Sequence, residues 1–526
     1  MADPINGELN TIERTACQLN AWLGMQWRLY MSLSAILCLL TFSGYSRPKT
    51  PWMDEVLQTT IERLPTGSAV WDALRDGGIQ VDPPLLHLSV HYLFRAFGES
   101  IYLARLPSIL GFCLMCVAVA CLVRRYASPI YAASAFFLPY ATVLRSRGID
   151  ARPYGLMFGF SALVLLCWDG IDRSPRKTWW RIAFTFSMAL MLSTHFYSIL
   201  LLLPLAMGEV AKSYFRKRAD WATLACVAVA MIPYVVWLPT LLSAARRYAS
   251  HYYYPAKFSN LYDFYGSAIA SLPMAGVLLF LLAVVAIIGY TAPLEALSEG
   301  ARRFQFVSVG FLLVPVVGYL AGVTITGLFV PYYHYIATFG VILGLPLILS
   351  SLSGGNRVVG LCLLLAIGGH GLFVSARGIS GFVRSVHREY PLAAEFRRLT
   401  GEERPDIVIP APAHFLPLRE ENRDDAADSF VYLFDSKKAL QALGTDTADL
   451  LYERLRRITP ARIESFDPYV ASHARFYIAV LGPIKGIQEW QYDYLLKQMH
   501  ARLWWLGKAG DFDVFRVEIE SAATPH

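Results

Sequence analysis

An adjacent pair of carboxylates, Asp54 and Glu55, follows the first long apolar run of the sequence at 30–45. If that run crosses a membrane, the pair lies at the membrane surface on the side opposite the N-terminus. Charged side chains are costly to hold near hydrocarbon, so an acidic pair at this position is a candidate for function. The alternative is a hydrated juxtamembrane loop, in which Asp and Glu are ordinary residues.

A second group of charged residues lies in segment 145–154, which reads RSRGIDARPY. Arg145, Arg147 and Arg152 surround Asp150 there. A guanidinium can bind two phosphate oxygens through parallel hydrogen bonds, so the cluster predicts a site that clamps an anion. Interfacial arginines without a ligand are the alternative, but those are usual on the cytoplasmic side of a membrane.

Two histidines, His87 and His91, are four residues apart in segment 85–97, whose apolar residues recur at helical spacing. The pattern predicts an amphipathic helix that lies in the membrane interface. Histidines at this spacing could bind a metal, although the sequence shows no third ligand beside them. The alternative is a pair of histidines on the polar face of the helix.

The composition indicates a membrane protein. Of 526 residues, 55% are hydrophobic and 17% are charged, and the mean hydropathy is +0.41. A soluble protein would have about 25% charged residues. Apolar runs near the length needed to cross a bilayer recur about eleven times. They lie at 30–45, 102–123, 130–144, 153–167, 182–193, 196–207, 222–242, 272–290, 304–323, 335–352 and 358–374.

We therefore predict an α-helical polytopic membrane protein with a C-terminal α/β domain. A cytoplasmic segment at 1–28 precedes a transmembrane domain at 29–376, whose first external loop is 46–101. Lys and Arg in the short loops fall on alternate turns, which predicts that the N-terminus is cytoplasmic and the C-terminus is outside. This orientation places the acidic pair and the arginine cluster together on the outer side.

Residues 377–526 have the pattern of an extracytoplasmic domain. Hydrophobicity falls, charge rises, and short strand patterns alternate with helical ones, which predicts a small α/β domain. The segment contains neither a glycine-rich phosphate loop nor a nucleophile elbow. Nothing in the sequence favours a nucleic acid as partner.

An ordered series of short motifs resembles a known superfamily. The motifs are Asp54-Glu55, Asp82-Pro83-Pro84-Leu85, Arg105-Leu106-Pro107-Ser108, Asp150-Ala151-Arg152-Pro153-Tyr154 and Thr194-His195-Phe196-Tyr197. In order and spacing they resemble the GT-C membrane glycosyltransferases, which include protein O-mannosyltransferases and lipid A aminoarabinose transferases. The resemblance covers roughly the first 210 residues; beyond them only the general plan of further spans and an outer α/β domain continues it.

The resemblance implies transfer of a sugar from a polyprenyl-phosphate donor to a glycan, lipid or protein acceptor at the outer face. Asp54 would be the catalytic base that takes the acceptor's proton, with Glu55 as its neighbour. Arg105, Arg147 and Arg152 would bind the departing lipid phosphate. No cofactor is required for such a reaction. The resemblance further implies an integral protein of the bacterial inner membrane that acts in the cell envelope.

Other substrate contacts expected from the resemblance are Asp82, His87, Asp150, Tyr154, His195, Tyr333 and His334. The chain departs from the family at three places. Asp82 replaces a usual His, Asp150 replaces a commoner Glu, and segment 331–335 replaces an Arg-Tyr pair. The extra acid leaves open a divalent metal shared by Asp54, Asp82 and His87.

Two other functions were compared with the enzyme. A transporter or flippase for a lipid-linked anion would have charges at the bilayer midplane on broken helices. The apolar runs are nearly free of charge, which favours the enzyme. A membrane-anchored binding module would explain neither the acidic pair nor the outer arginines.

Overall fold

The computed structural model describes residues 4–76, 78–248, 254–269, 298–384, 392–423, 426–482 and 489–519. Within these ranges the chain is helical up to Arg384, and a sheet forms only after residue 406. The predicted class, a helical membrane domain followed by a C-terminal α/β domain, is confirmed. The last apolar helix continues to Arg384, past the expected domain boundary at 376.

The helices of the membrane domain and its first external loop differ widely in length. They are α1 Pro4–Met25, α2 Trp27–Ser46, α3 Met53–Glu62, α4 Gly67–Asp76, α5 Leu85–Phe97, α6 Ile101–Val123, α7 Pro129–Phe137, α8 Leu144–Arg147, α9 Tyr154–Arg173, α10 Lys177–Leu192, α11 Leu202–Arg216, α12 Trp221–Ala230, α13 Ile232–Tyr248, α14 Phe258–Phe264, α15 Glu299–Ala321, α16 Phe339–Leu352 and α17 Arg357–Arg384. Short segments of 3₁₀ or π helix at Leu138–Ala141, Phe196–Leu201, Tyr265–Ile269, Gly322–Thr326 and Pro331–Thr338 connect or extend them.

Seven helical segments in the described part of the chain are long and apolar enough to cross a bilayer, or eight with the bent pair α12 and α13. Two more predicted runs, 130–144 and 182–193, form the shorter helices α7 and α10. The predicted run at 272–290 lies outside the described residues. The total of about eleven spans therefore stays a prediction.

A close helix contact joins α6 to α9 and positions two arginines of the site. A Cβ atom added at Gly155 would collide with the backbone of Ser108, so glycine is needed there for the two backbones to touch. Arg105 lies near the start of α6, and Arg152 precedes α9 by two residues. The close crossing therefore brings these arginines to the same end of the bundle.

The C-terminal domain is built on one six-stranded sheet. Its strands are β1 Ile407–Val408, β2 Phe430–Phe434, β3 Arg462–Ser465, β4 Arg475–Val480, β5 Arg502–Ala509 and β6 Phe512–Glu518, in the order β3-β2-β1-β4-β6-β5. The first four are parallel, and β6 joins β4 and β5 as antiparallel neighbours. The helices are α18 Leu392–Thr400, α19 Pro412–Glu421, α20 Ser436–Leu443, α21 Thr447–Leu455, α22 Phe466–Ser472 and α23 Trp490–Lys497, with a 3₁₀ turn at Ala427–Ser429.

Helix α3 belongs to both parts of the fold. Its residues Val56 and Leu57 are buried in the same apolar cluster as Phe415 and Tyr452 of the C-terminal domain. Its other face carries Gln58, which is fully buried. The helix that begins at the acidic pair is thus held between the membrane domain and the C-terminal domain.

Candidate active site

Glu55 is the third residue of α3, and the sequence explains the start of the helix there. The backbone N–H of Trp52 precedes the helix and donates to Glu55 Oε2 at 3.3 Å. Glutamate at this position accepts a backbone N–H that the helix itself leaves unbonded. The same carboxylate accepts the backbone N–H of Ala151 at 2.6 Å. Glu55 therefore joins the first external loop to the segment of the arginine cluster.

Arg105 binds Glu55 from α6, and both side chains are fully buried. The guanidinium donates from Nε to Oε1 at 2.8 Å and from Nη2 to Oε2 at 2.7 Å. Its remaining N–H groups donate to the backbone carbonyls of Ser46, Lys49 and Thr50 at 2.6, 2.8 and 3.4 Å. An arginine has five N–H donors. All five are bound to protein acceptors.

This geometry does not support the role that the resemblance implied for Arg105, which was to bind the departing lipid phosphate. With no donor left, its guanidinium cannot bind a phosphate unless the bonds to Glu55 or to the carbonyls break. Burial raises the pKa of Glu55, but the bonds to Arg105 outweigh burial and hold that pKa below its usual range. Glu55 is therefore an ionised, fully bonded carboxylate that fixes the start of α3.

Asp54 differs from its neighbour in every one of these respects. It is half-buried, and its carboxylate has no hydrogen bond or ion pair with any residue that the structure describes. Burial raises its pKa, an effect that the nearby cations Arg152 and Arg147 oppose and that Asp150 and Glu55 reinforce. A carboxylate with a raised pKa and no fixed partner is suited to accept a proton.

Arg152 is almost completely buried beside Asp54. Its Nη1 donates to Gln80 at 2.8 Å, and Nη2 lies 3.4 Å from Asp82 Oδ2. Its Nε is buried without a hydrogen-bond partner among the described residues. Because burying a cation with incomplete hydrogen bonding is costly, this donor is available to an anion that enters the site.

Arg147 is the more accessible of the two cations, with 22% of its side chain exposed. The guanidinium lies over the rings of Trp52 and Tyr332, at 5.4 and 4.7 Å from their centroids. Its Nη1 donates to Asp150 Oδ2 at 3.1 Å, and Asp150 also pairs with Lys49. The two rings hold the planar guanidinium in place, and most of its donors bond to no residue that the structure describes, which is favourable for capturing a phosphate.

Asp82 connects Arg152 to a histidine. Asp82 Oδ1 lies 3.5 Å from His195 Nε2. The other ring nitrogen, Nδ1, accepts the backbone N–H of Tyr197 at 3.1 Å, so the proton of the neutral ring is on Nε2 and points at Asp82. Burial raises the pKa of Asp82 to about 7, against the lowering effect of Arg152.

The remaining predicted contacts surround this core at different distances. The rings of Tyr154 and Tyr333 lie 5.4 and 5.0 Å from that of His195. His334 lies farther out, stacked on Phe329 with its Nδ1 2.9 Å from the carbonyl of Val330. Among the described residues, no hydrogen bond or ion pair joins His334 to a carboxylate of the site.

His87 belongs to a second cluster of buried polar side chains, which includes Gln58 and Glu62 of α3. Its Nδ1 is 3.6 Å from Glu62 Oε1, which also accepts from Gln58 Nε2 at 2.8 Å. His91 contacts the backbone carbonyl of Glu62 at 2.9 Å. Burial raises the pKa of Glu62 well above its usual range.

The described residues of the site do not form a set of metal ligands. Among the described residues, no group of three or more His, Cys, Asp or Glu side chains is arranged to hold a metal ion. Asp82 contacts Arg152 and His195. That no cofactor is required, with a divalent metal left open, stays a prediction.

Several residues of the site were not found from the sequence. They are Lys49, Trp52, Gln58, Glu62, Gln80 and Tyr332. Gln58 and Glu62 follow Asp54 at intervals of four, so the helical period of α3 carried a usable signal for them. Lys49, Gln80 and Tyr332 lie in irregular segments or turns, where spacing gives no direction for the side chain.

Comparison with known proteins found similar solved structures but no family model and no curated sequence that matches. ArnT from Cupriavidus metallidurans bound to undecaprenyl phosphate is 14% identical, with 96% of this chain and 100% of that chain covered and a TM-score of 0.44. The apo state of that protein is 13% identical over the same shares, with a TM-score of 0.45. An oligosaccharyltransferase from Archaeoglobus fulgidus, tethered to an acceptor peptide, is 13% identical, with 84% and 64% covered and a TM-score of 0.43. Similarity this distant does not decide the function, which is proposed below from the side chains of the site.

Proposed function

We propose that this chain is an inverting glycosyltransferase that moves a sugar from a polyprenyl-phosphate donor to an acceptor at the outer membrane face. The observation that supports it most is the contrast between two adjacent carboxylates. Glu55 is saturated by Arg105 and backbone donors, whereas Asp54 has no described partner and lies near two arginines. A free base beside incompletely bonded cations fits the transfer of a group away from a phosphate.

In the proposed reaction, Asp54 takes the proton of an acceptor hydroxyl while that oxygen attacks C1 of the sugar. The bond from C1 to the phosphate oxygen breaks as the new bond forms, so the configuration at C1 inverts. The lipid phosphate leaves with the electron pair of the broken bond. Because phosphate is stable as an anion, the step needs positive charge on the leaving side and no second catalytic acid.

Arg147 and Arg152 would supply that charge. Arg147 is the accessible cation and would meet the donor phosphate first, and Arg152 would contact it through the Nε that is buried without a partner. Asp82 and His195 position Arg152 from the opposite side. We assign Arg105 to positioning Glu55 and no longer to the phosphate.

The partners follow from this chemistry at the level of class. The donor is a sugar on a lipid phosphate, the solvent for α2 and the later apolar helices is the bilayer, and the acceptor is a glycan, a lipid or a protein. We place the protein in a bacterial inner membrane, with a cytoplasmic N-terminus and the C-terminal domain at 377–526 outside. That domain packs on α3 and would take part in selecting the acceptor.

The experiment that tests the proposal is a transfer assay with the full chain reconstituted in lipid. Radiolabelled polyprenyl-phosphate sugars are offered with membrane acceptors to the wild type, to Asp54→Asn and to a control, Asp72→Asn. Asp72 is an exposed aspartate of the same external loop. Transfer should fall by about 10²–10⁴ in Asp54→Asn, the usual contribution of a general base, and stay unchanged in the control.

Donor binding and melting of the purified proteins separate the outcomes. Asp54→Asn should bind the donor and unfold like the wild type, because its carboxylate bonds to nothing in the described structure. Unchanged transfer in this variant would contradict the role of Asp54. Movement of the lipid across the bilayer with no transfer of any sugar would contradict the enzyme and favour a transporter.

A further inference from the structure

A cavity of about 730 Å³ lies behind α3, between the first external loop and the C-terminal domain. Thr60 and Arg63 line one wall, and Leu416, Arg419 and Ser429 line the other. Its position relative to the active site follows from helix geometry. At 100° per residue, Val56, Thr60 and Arg63 are on the face of α3 opposite to Asp54, so the cavity is separate from the site described above.

Arginine dominates the lining of this cavity. Its five cations are Arg63, Arg404, Arg419, Arg423 and Arg462, and its four acids are Glu99, Asp406, Glu420 and Asp428. Guanidinium groups gathered around one space are the arrangement that proteins use to bind phosphate and carboxylate groups. The acids neutralise some of these cations, so the question is which cations stay uncompensated.

Two of the arginines are poorly compensated. Arg404 is exposed and forms no ion pair with any residue that the structure describes. Arg419 has its Nε buried without a hydrogen-bond partner among the described residues, and the acid it pairs with there, Asp428, is 3.6 Å away with 86% of its side chain exposed. An ion pair with so exposed an acid contributes little and is easily exchanged for another anion. Burial lowers the pKa of Arg419, which is the effect of a cation that lacks compensation.

The other arginines are engaged in holding the walls together. Arg63 donates to Glu420 through two bonds, Nη1 to Oε2 at 2.9 Å and Nη2 to Oε1 at 2.5 Å. Arg462 is bonded to Asp406. Arg423 donates to Glu99 from both Nη1 and Nη2 at 3.3 Å. The cavity is thus built by these pairs, and Arg404 and Arg419 are the cations that remain for a ligand.

We propose that this cavity is a second anion-binding site, which takes a phosphate group through Arg404 and Arg419. The phosphate can come from a free phosphate ion or from a phosphorylated sugar of the acceptor. The site stands apart from the proposed transferase reaction, because it uses no residue of the Asp54 cluster. A ligand there would lie against the rear of the helix that carries Asp54.

The test is calorimetric titration of the reconstituted full chain with inorganic phosphate and with glucose 6-phosphate. All proteins carry Arg147→Gln, so that the donor site contributes little to the measured heat. In that background we compare the parent, the double variant Arg404→Gln and Arg419→Gln, and the control Arg398→Gln. Arg398 is an exposed arginine of the same domain with no described partner.

We expect binding to weaken at least about tenfold in the double variant, the loss typical of charge-assisted hydrogen bonds, and to stay unchanged in the control. Asp428→Asn should have the opposite effect and tighten binding about threefold, because it removes the acid that competes for Arg419. A variant that binds more tightly cannot be explained by loss of folding. Equal affinity in the parent, the double variant and Asp428→Asn would overturn the proposal.

The two ligands distinguish the source of the phosphate. Tighter binding of glucose 6-phosphate than of inorganic phosphate, lost in the double variant, would identify a phosphorylated acceptor sugar. Equal binding of both, lost in the same variant, would identify free phosphate as the ligand. Either result supports the site, and binding of both ligands without loss in the double variant contradicts it.

Discussion

Arg105 gives all five of its N–H groups to protein acceptors, and two of them go to Glu55. Because both side chains are fully buried, removal of one leaves the other as an unpaired charge. Breaking a buried pair in this way typically costs about 3–5 kcal/mol. The relationship explains how a membrane-surface loop holds a helix in a fixed position.

We therefore predict that Glu55→Gln and Arg105→Gln each lower the free energy of unfolding by about 3 kcal/mol or more. Melting of the purified proteins in detergent measures the change, with Glu403→Gln as an exposed control in the C-terminal domain. The double variant should lose less than the sum of the two single losses, because the residues are directly coupled. Additive losses would show that the two side chains act independently.

Arg147→Gln should weaken binding of the donor lipid by about 10–100-fold, the usual contribution of hydrogen bonds to a charged group. The guanidinium is held by Trp52 and Tyr332, and most of its donors have no partner in the described part of the chain. Binding of polyprenyl phosphate to the reconstituted protein is the measurement. Arg145→Gln is the matched control. Arg145 lies two residues before Arg147 in the sequence but contacts none of the site residues that the structure describes. Equal losses in both variants would point to general surface charge instead of a specific contact.

The decrease of kcat/KM at acidic pH, the acid limb of the pH profile, should reflect protonation of Asp54. A base must be deprotonated to accept the acceptor's proton, so kcat/KM should fall as the pH drops through its pKa. Burial raises that pKa, and Arg147 opposes the rise. Removing this cation in Arg147→Gln should raise the pKa of Asp54 further and move the acid limb to higher pH. Profiles of kcat/KM for the two proteins test this, and a shift to lower pH would exclude Asp54 as the titrating group.

Motif spacing predicted which residues meet in the candidate active site better than it predicted what each of them does there. The ordered motifs around Asp54, Asp82, Arg152 and His195 named residues that the fold does bring together. They could not show that Arg105 is saturated, because three of its bonds go to backbone carbonyls of 46–50, which any sequence would supply. Which donors of Arg105 are already bonded can be read only from the three-dimensional structure.

The overall architecture, unlike the roles of individual residues, was predictable from composition and sequence pattern. Long apolar runs determine spans by composition alone, and the alternation of strands and helices after 377 predicted the α/β domain. Packing of that domain on α3 had no signal in the sequence, since Val56 and Leu57 look like any apolar pair on a short helix. Contacts between segments about 350 residues apart depend on the shapes of both surfaces.

Asp82 should make stability depend on pH in an unusual direction. Its pKa in the folded protein is about 7, well above the value of an unfolded aspartate, so the folded state binds its proton more tightly. The stability that this proton contributes is complete below pH ~4 and is lost as the pH rises to about 7. The melting temperature of the wild type relative to Asp82→Asn should therefore fall across that range. A difference that does not vary with pH would contradict the raised pKa.

The contact between α3 and the C-terminal domain should affect both stability and turnover. Leu57 is 2% exposed and packs in the cluster of Phe415 and Tyr452, so Leu57→Ala should cost about 2–5 kcal/mol of unfolding free energy. Turnover should fall with it, because a looser α3 no longer holds Asp54 against the acceptor. Leu443→Ala, a leucine of the same domain with 37% exposure, is the control and should change neither quantity. Affinity for the donor should fall less than turnover, since Arg147 and Arg152 precede α9 and lie outside this cluster, although Arg147 also stacks on Trp52 just before α3. A loss of donor affinity as large as the loss of turnover would show that the domain holds the whole site and not the helix of the base alone.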